Sequence, residues 1–283
     1  MAIQDRKIGF LGAGNMGEAI IGALLGSGIL PGEHICINDV NAERLSYMHK
    51  TYGVAPVRDN ARLFAECDTV VLAVKPQQMT DVLGEISSGP EYGVGGRTLV
   101  ISIAAGFPIR KIEALLYGPL DEDRARRMPI IRVMPNTPAL VLAGMSGMSP
   151  NRHADAQDIE AAMEILGAMG KVIVFEEEKL DAVTALSGSG PAYVFYLIEA
   201  MTHAGVAAGL DPSDAAELTL GTLDGAVRLI QARGEPPEVL RRKVTSPGGT
   251  TEAAVNVLER NNVRRHIVDA ILAAARRAEE LSR

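Results

Sequence analysis

The feature that most constrains the fold of this chain is a glycine pattern near its amino terminus. A short apolar run at residues 7–11, typical of a buried parallel strand, leads directly into Gly12-Ala13-Gly14-Asn15-Met16-Gly17, and apolar residues then recur at helical spacing. Between a strand and a helix, the first glycine permits a tight turn, the second lets a pyrophosphate approach the backbone, and the third allows close packing. The amino end of the helix offers unpaired N–H groups to phosphates. The pattern predicts dinucleotide binding; a glycine-rich turn that serves packing alone is the alternative.

Strand-like and helix-like segments alternate through the first half of the chain. Further runs typical of buried strands stand at residues 35–37, 68–74, 98–103, 130–134 and 171–175, with helical patterns between several of them. This alternation predicts an α/β fold with a Rossmann-type, doubly wound parallel sheet. After residue 176 the strand-like runs stop and alanine-rich helical patterns take over. We therefore expect a dinucleotide-binding domain at residues 1–176 and an all-helical domain at residues 177–283.

Charge and cysteine content exclude several classes of protein. Lys and Arg number 28 against 35 Asp and Glu, a net charge of −7 without a basic run, so we expect no nucleic-acid and no membrane partner. The apolar segment 192–210 contains Glu199 and His203 and is predicted to be a buried helix rather than a transmembrane span. Cys36 and Cys67 are too few for a disulfide framework, and no targeting segment is evident, which together predict a cytoplasmic location. The histidines lack metal-ligand spacing, so no metal site is expected.

Several residues follow the predicted strands, at the edge where open α/β sheets bind their ligands. Asp39 lies 22 residues past Gly17, where an acid hydrogen-bonds a ribose 2′-hydroxyl, although an Asx turn would explain it equally. The segment Ala73-Val74-Lys75-Pro76 ends another strand, so Lys75 either faces a cofactor or is simply solvated. Ala104 and Ala105 are small enough to let a nicotinamide or a ribose approach the backbone.

Two glycine-rich segments in the second half each open a predicted helix. They are Ser187-Gly188-Ser189-Gly190-Pro191 and Ser246-Pro247-Gly248-Gly249-Thr250-Thr251. Consecutive N–H groups in such a turn form an anion-binding nest, to which threonine hydroxyls add donors. Well-capped helices are the plainer interpretation of both segments. The density of glycine and threonine in the second favours a carboxylate site there.

Together these segments resemble the pyrroline-5-carboxylate reductase family over essentially the whole chain. The most specific part is residues 244–251, supported by residues 186–193 and by the segments at 12–17 and 73–76. The resemblance implies the last step of proline biosynthesis, in which NADPH or NADH reduces the imine of 1-pyrroline-5-carboxylate to L-proline. It also implies that the helical domain dimerises by interleaving its helices. The apolar helices after residue 176 independently favour a homodimer or a larger homo-oligomer, because one small helical domain cannot bury them.

The resemblance further implies which residues form the site. The nucleotide would be bound by Gly12, Ala13, Gly14, Asn15, Met16, Gly17, Asn60, Ala73, Val74, Lys75 and Pro76. The substrate would be held by Gly248, Gly249, Thr250 and Thr251, and this nest is expected to come from the partner subunit. The N–H of Thr250 and the hydroxyl of Thr251 are the implied contacts, and Thr251 is the candidate catalytic residue. Val40 stands where many members have a basic residue, and Lys243 where some have an asparagine, so the choice between NADH and NADPH stays open.

Two other activities fit parts of the sequence. β-Hydroxyacid dehydrogenases need a base for the hydroxyl proton, typically a lysine on the helix after such a glycine-rich turn. Here residues 192–198 contain no lysine, and the next one along the chain is Lys243. A protonated imine needs no strong base, which favours the reductase. A noncatalytic redox sensor that binds NAD(P) is the third interpretation, but a sensor has no need of a second anion site.

Overall fold

The structure, a computed structural model, describes residues 3–90, 92–93 and 95–283. Its central sheet has the strands β1 (Ile8–Leu11), β2 (Ile35–Asn38), β3 (Ala55–Pro56), β4 (Thr69–Leu72), β5 (Leu99–Ser102), β6 (Ile130–Met134), β7 (Gly144–Pro150) and β8 (Gly170–Val174). They are ordered β3-β2-β1-β4-β5-β6-β7-β8, and every neighbouring pair is parallel except β6 with β7. The strand order reverses between β1 and β4, the place where doubly wound sheets bind ligands.

Helices connect the strands and make up the later part of the chain. In the first part they are α1 (Asn15–Gly26), α2 (Ala42–Tyr52), α3 (Asn60–Glu66), α4 (Met79–Ser87), α5 (Ile109–Tyr117), α6 (Glu122–Ala125), α7 (Ala156–Gly167) and α8 (Leu180–Val183). They are followed by α9 (Gly190–Ala207), α10 (Pro212–Arg233), α11 (Pro237–Lys243), α12 (Thr250–Arg260) and α13 (Val263–Ser282).

The central strands of the sheet are buried on both faces. Neighbouring residues of a strand point to opposite sides, so each face has its own core. On one face Phe10 of β1 belongs to the same core as Ile20 of α1. On the other face Leu11, the next residue, belongs to a core with Leu63 of α3 and Leu83 of α4. All four residues of β1 are buried, as the continuous apolar run predicts for a parallel strand covered by helices on both sides.

The predicted doubly wound α/β fold is confirmed, but two strands were missed. β3 has only two residues, and β7 reads Gly-Met-Ser-Gly-Met-Ser-Pro, which lacks the β-branched run of a typical strand. Glycine at position 147 is required by packing, because a Cβ there would lie 2.8 Å from the Val183 side chain. β7 runs antiparallel to β6 and carries β8 at the edge. The strands predicted at residues 130–134 and 171–175 are therefore not neighbours, because β7 lies between them.

The chain divides into two compact units. The first comprises Met1–Ser189 and Ala274–Arg283, and the second comprises Gly190–Ala273. By packing, the sheet unit thus extends to residue 189 and includes the carboxyl-terminal residues. The domain boundary after residue 176 stays a prediction. Among the described residues, no helix combines the length and the hydropathy that crossing a membrane requires.

The prediction that residues 192–210 form a buried helix is wrong for the single chain. They do form most of α9, but none of its residues is buried. Phe195 is 59% exposed and Tyr196 is 74% exposed. Within its own unit, α9 packs on α10 through Gly205, where a Cβ would lie 2.9 Å from the Cβ of Ala215. The sequence therefore identified α9 correctly as an apolar helix. Packing against α10 does not cover its apolar side chains.

Candidate active site

The glycine loop between β1 and α1 is held against the neighbouring strands by backbone contacts. Gly12 has a φ of +97°, and a Cβ there would lie 2.7 Å from the carbonyl carbon and oxygen of Ala73. Its N–H donates to the Asn38 carbonyl at 2.8 Å, which ties the loop to the end of β2. A Cβ on Gly17 would lie 2.8 Å from the Gly12 carbonyl oxygen. Both positions therefore require glycine for reasons internal to the fold.

Gly14 is different, because nothing lies within 4 Å of a Cβ built there. It is the N-cap of α1 and has extended backbone, and as a glycine it provides no side-chain acceptor for the first-turn N–H groups. Gly14 and Asn15 are both exposed. A bare, exposed helix end favours an anion through its N–H donors and through its dipole. The loop therefore has the space and the donors that a dinucleotide pyrophosphate needs.

Asp39 joins the end of β2 to this loop. Its Oδ2 accepts the Ala13 N–H at 2.8 Å, and its Oδ1 accepts the Asn41 N–H at 2.9 Å. The second bond is the Asx turn that the sequence offered as the alternative role. Contact between Asp39 and a ribose stays a prediction. The neighbouring Val40 side chain is 93% exposed and brings no charge to the place where a 2′-phosphate would need a cation.

Arg44, the first arginine after β2 along the chain, is bound within the chain itself. Its Nε donates to the Ala13 carbonyl at 2.5 Å, and its Nη2 contacts the Glu18 carboxylate. The Tyr52 and Tyr47 hydroxyls also donate to Glu18, at 2.9 and 3.0 Å. Burial opposes the ionisation of Glu18, but the hydrogen bonds from Arg44 and the two tyrosines outweigh it and hold the pKa of Glu18 below its ordinary value. This ionised network fixes the position of the glycine loop and was not found from the sequence.

The remaining predicted nucleotide residues lie after β4, after β5 and at the start of α3. Of these, Ala73, Val74, Pro76 and Asn60 are half-buried, Lys75 and Ala105 are exposed, and Ala104 is buried. The Ala73 N–H donates to the Leu11 carbonyl at 2.8 Å, so this segment continues the sheet beside the glycine loop. Lys75 begins a short 3-10 turn, and Asn60 donates to Glu85 at 2.7 Å. The structure thus brings the glycine loop and the segment after β4 together.

The predicted nest in the second unit is the amino end of α12. Gly249 is the N-cap, without a side-chain hydrogen bond, and Thr250 is the first helical residue. Gly248 has a φ of +72°, which favours glycine. The first-turn N–H groups, those of Thr250 and Thr251 among them, have no partner inside the helix. They could bind a carboxylate together with the Thr251 hydroxyl.

Two of the four predicted substrate residues have their N–H groups engaged within the chain. The Gly249 N–H donates to the Ser246 carbonyl at 3.0 Å, and the Gly248 N–H donates to Glu252 Oε2 at 2.8 Å. Sequence reasoning missed this role of Glu252, although a glutamate four residues after a glycine turn is a detectable signal. The donors left at the nest are therefore those of Thr250 and Thr251.

Asn136 is a second residue that sequence reasoning missed. It follows β6, and its Nδ2 donates to the Ser187 hydroxyl at 3.2 Å while its Oδ1 accepts the Met145 N–H at 2.9 Å. A Cβ on Gly188 would lie 2.4 Å from the Met134 methyl group, so this glycine packs on the end of the sheet. The glycine-rich segment before α9 thus docks on β6 and β7. Among the described residues, no group of three or more His, Cys, Asp or Glu is arranged to hold a metal ion.

Comparisons with known proteins support both halves of this description. Residues 177–281 match the family model described as pyrroline-5-carboxylate reductase dimerisation, and residues 7–106 match the one described as NADP oxidoreductase coenzyme F420-dependent. The chain is 41% identical over 277 residues to pyrroline-5-carboxylate reductase 2 of Bacillus subtilis, covering 98% of this chain and 95% of that protein. It is 40% identical over 279 residues to pyrroline-5-carboxylate reductase of Pseudomonas aeruginosa, covering 98% and 97%.

A solved structure agrees with these sequence matches. The crystal structure of Plasmodium falciparum pyrroline carboxylate reductase with NADP bound superposes with a TM-score of 0.86 at 30% identity, covering 99% of this chain and 100% of that one. The resemblance noted in the sequence motifs is thereby confirmed over the full length. The chain belongs to the pyrroline-5-carboxylate reductase family.

Proposed function

We propose that this protein is an NAD(P)H-dependent oxidoreductase that reduces 1-pyrroline-5-carboxylate to L-proline, the last step of proline biosynthesis. The observation that carries the proposal is that two helices in the chain begin at a glycine N-cap without a side-chain hydrogen bond, one at Gly14 and one at Gly249. Reduction of an imine that bears a carboxylate needs two anion sites, one for the cofactor and one for the substrate. Relatives of matching length that carry the name of this enzyme support the same activity.

The reaction adds a hydride to the imine carbon and leaves a proton on the ring nitrogen. When bound, the reduced nicotinamide supplies the hydride. Because the protonated imine is already electrophilic, the main task of the protein is to position the substrate. The N–H groups of Thr250 and Thr251 and the Thr251 hydroxyl bind the substrate carboxylate in this proposal. The proton on nitrogen is delivered either by water or by the Thr251 hydroxyl.

Each of the two competing activities is disfavoured by one helix, the dehydrogenase by α9 and the redox sensor by α12. A β-hydroxyacid dehydrogenase would need a strong base near the glycine-rich segment, and α9 contains no lysine. A redox sensor would leave the amino end of α12 without a purpose. Glu252, which orders the turn at Gly248, instead supports a preformed binding site.

The proposal includes a homo-oligomer, at least a dimer, whose nests come from partner subunits. Apolar side chains exposed along α9 and α10 support self-association, since few of them are covered within their own unit. The net charge of −7 supports the expectation of no nucleic-acid partner. Cys36 and Cys67 are both free thiols, which supports a cytoplasmic location. The proposed cofactor is NADPH or NADH.

One assay tests the activity directly. The purified protein is given 1-pyrroline-5-carboxylate with NADPH or NADH, and both nucleotide oxidation and proline formation are followed. In parallel it is given a panel of 3-hydroxyacids with NAD⁺ or NADP⁺. We expect equimolar nucleotide oxidation and proline formation in the first arm only. Turnover confined to the hydroxyacids would support the dehydrogenase, and nucleotide binding without any turnover would support the sensor.

A further inference from the structure

A cavity of about 860 Å³ lies at the edge of the sheet opposite to the glycine loop. Its lining includes Arg6, Asp68, Thr98 and Met128, each within two residues of the start of β1, β4, β5 or β6. These are the amino ends of the parallel strands, whereas the glycine loop follows the carboxyl end of β1. The cavity is therefore separate from the nucleotide residues described above, and the proposed reaction does not use it.

Arg6 is a buried charge that the described part of the chain leaves largely without partners. The residue is 8% exposed, and its Nη1 donates to the hydroxyl of the fully buried Thr69 at 3.2 Å. Its Nε is buried and has no hydrogen-bond partner. Removing an arginine charge from water is unfavourable unless an acid compensates it. This position therefore indicates a missing negative group.

The geometry of the Arg6 guanidinium indicates which kind of negative group would bind it. Nε and Nη2 form one edge of the planar fork, and arginine uses such an edge to bind carboxylates and phosphates through two parallel hydrogen bonds. Thr69 accepts from Nη1, which belongs to the other side of the fork. Arg6 therefore keeps guanidinium donors that Thr69 does not use.

The four acids among the described lining residues are engaged in other contacts. Glu66 accepts from Lys7 at 2.9 Å and from Arg62 at 2.6 Å, and Asp158 pairs with Arg97. Two further acids are bound to backbone N–H groups, Asp68 to that of Lys7 and Asp59 to that of Arg62, at 2.9 and 2.7 Å.

The cations at the rim are less engaged. Arg124 makes a 3.5 Å contact with Asp121, and both Arg124 and Arg127 are exposed where they line the cavity. Among the described lining residues, five arginines stand against four acids, which leaves one positive charge in excess. This excess favours an anionic ligand.

We propose that this Arg6 cavity binds a small molecule through a phosphate or carboxylate group. The guanidinium of Arg6 receives the oxyanion, and Arg124 and Arg127 attract it at the rim. The volume of about 860 Å³ exceeds what one oxyanion occupies and lies within the range of small-molecule pockets, so the rest of the ligand fits inside as well.

The test is calorimetric titration of the full-length protein with inorganic phosphate, pyrophosphate and citrate. Saturating NADP⁺ is present throughout, so that the glycine loop is already filled. We expect at least one probe to bind and Arg6→Gln to weaken its binding by about tenfold or more, the usual scale for a bidentate charged contact. Binding of pyrophosphate but not citrate assigns a phosphate ligand, and the reverse assigns a carboxylate. Arg228→Gln is the control, because it removes the same charge from an exposed residue of α10.

Thermal unfolding in buffer free of phosphate and carboxylate gives an independent readout. Since the unpaired buried charge is unfavourable, Arg6→Gln should melt at or above the wild-type temperature, and the probe should raise the melting temperature of the wild type alone. A lower melting temperature of Arg6→Gln in this buffer would show that Arg6 is already compensated and would overturn the proposal.

Absence of binding to the wild-type protein would overturn it too. Glu91 lies outside the described residues, between two that line the cavity, so Glu91→Gln is titrated in parallel. Binding to Glu91→Gln alone would assign the Arg6 edge to an internal ion pair. Turnover of Arg6→Gln should stay within about twofold of wild type, as expected for a residue far from the reaction.

Discussion

The two units of this chain differ in how much of their apolar surface they bury. The sheet unit has a core on each face, and its strands β1, β4 and β5 are fully buried. Among the described residues of the unit Gly190–Ala273, Ala215 and Thr219 are the buried ones. Even the large aromatic side chains of Phe195 and Tyr196 in α9 are exposed. A helix that is apolar all round is stable when it is buried. We infer that the first unit is complete as a fold within one chain, whereas the second needs another copy of the chain.

The two proposed anion sites differ in a parallel way. The glycine loop is fixed by contacts from neighbouring strands and by the Arg44–Glu18 pair, all within the sheet unit. The turn before α12 is ordered locally, through Glu252 and Ser246. Substitutions at the loop positions that pack on the chain, Gly12 and Gly17, should therefore affect stability and cofactor binding together. Substitutions at the nest should affect substrate binding alone.

The largest effect is expected from a charge on the exposed apolar face of the helical unit. Phe195→Asp would place a carboxylate in the proposed interface between chains, where an unpaired charge costs several kcal/mol. We expect the protein to become monomeric at micromolar concentration by light scattering, with turnover reduced roughly a hundredfold or more.

The matched control is Met163→Asp on α7, a partly exposed residue of the sheet unit. It should leave both oligomeric state and turnover near wild type. A Phe195→Asp protein that is monomeric but fully active would contradict the need for a second copy. So would a wild-type protein that is an active monomer.

The second effect separates two glycines of the same loop. Gly12→Ala adds a Cβ 2.7 Å from the Ala73 backbone at a positive φ, which costs about 1–3 kcal/mol in conformational strain alone. We expect the melting temperature to fall by about 4 °C or more and kcat/KM for the nucleotide to fall about a hundredfold. Gly14→Ala, whose Cβ would meet nothing, should weaken nucleotide binding without lowering the melting temperature. Equal melting temperatures for the two variants would refute the distinction drawn between them.

Much of the fold was predictable from the sequence because parallel strands covered on both faces must be continuously apolar. Residues 7–11 and 68–74 have that pattern, and β1 and β4 are there. β7 was missed because its stability depends on close approach of the chain at Gly147 rather than on β-branched side chains. The exposure of α9 was missed for another reason. Hydrophobicity predicts that a residue will be covered, but it does not say whether the same chain covers it.

The candidate site was predictable where glycine is needed for geometry and unpredictable where long-range pairing decides. The loop at residues 12–17 has a local signature. The pairing of Arg44 with Glu18, 26 residues apart, has no such signature, so the sequence does not show that Arg44 is engaged. The choice at Asp39 between an Asx turn and a ribose contact could not be made either, because one carboxylate has enough acceptor sites for both.

A smaller effect is expected at the nest. Loss of one hydrogen bond to a charged group costs about 1.5–3 kcal/mol. Thr251→Val should therefore lower kcat/KM for 1-pyrroline-5-carboxylate roughly tenfold to a hundredfold, with nucleotide affinity almost unchanged. Thr245→Val is the control in the same segment, since its hydroxyl donates to the Arg241 carbonyl at 2.6 Å. Wild-type kinetics in Thr251→Val would mean that this turn is a helix start and nothing more.

The smallest effect concerns the choice between the two nucleotides. The end of β2 carries Asp39 and the exposed, uncharged Val40, while Arg44 is held by Ala13 and Glu18. A carboxylate there favours the 2′-hydroxyl of NADH and repels the 2′-phosphate of NADPH. We therefore expect NADH to be accepted alongside NADPH.

Asp39→Ser should lower KM for NADPH and raise KM for NADH, changing their ratio by about tenfold, the equivalent of roughly 1.4 kcal/mol. Serine also removes an acceptor from the Ala13 N–H, so part of any change could reflect a displaced loop. Asp39→Asn separates the two causes, because its amide oxygen can still accept a backbone N–H while the charge is gone. If the charge discriminates, both variants change the KM ratio in the same direction. If only Asp39→Ser does, the loop geometry is responsible, and an unchanged ratio in both would show that Asp39 serves the Asx turn and the glycine loop without contacting the ribose.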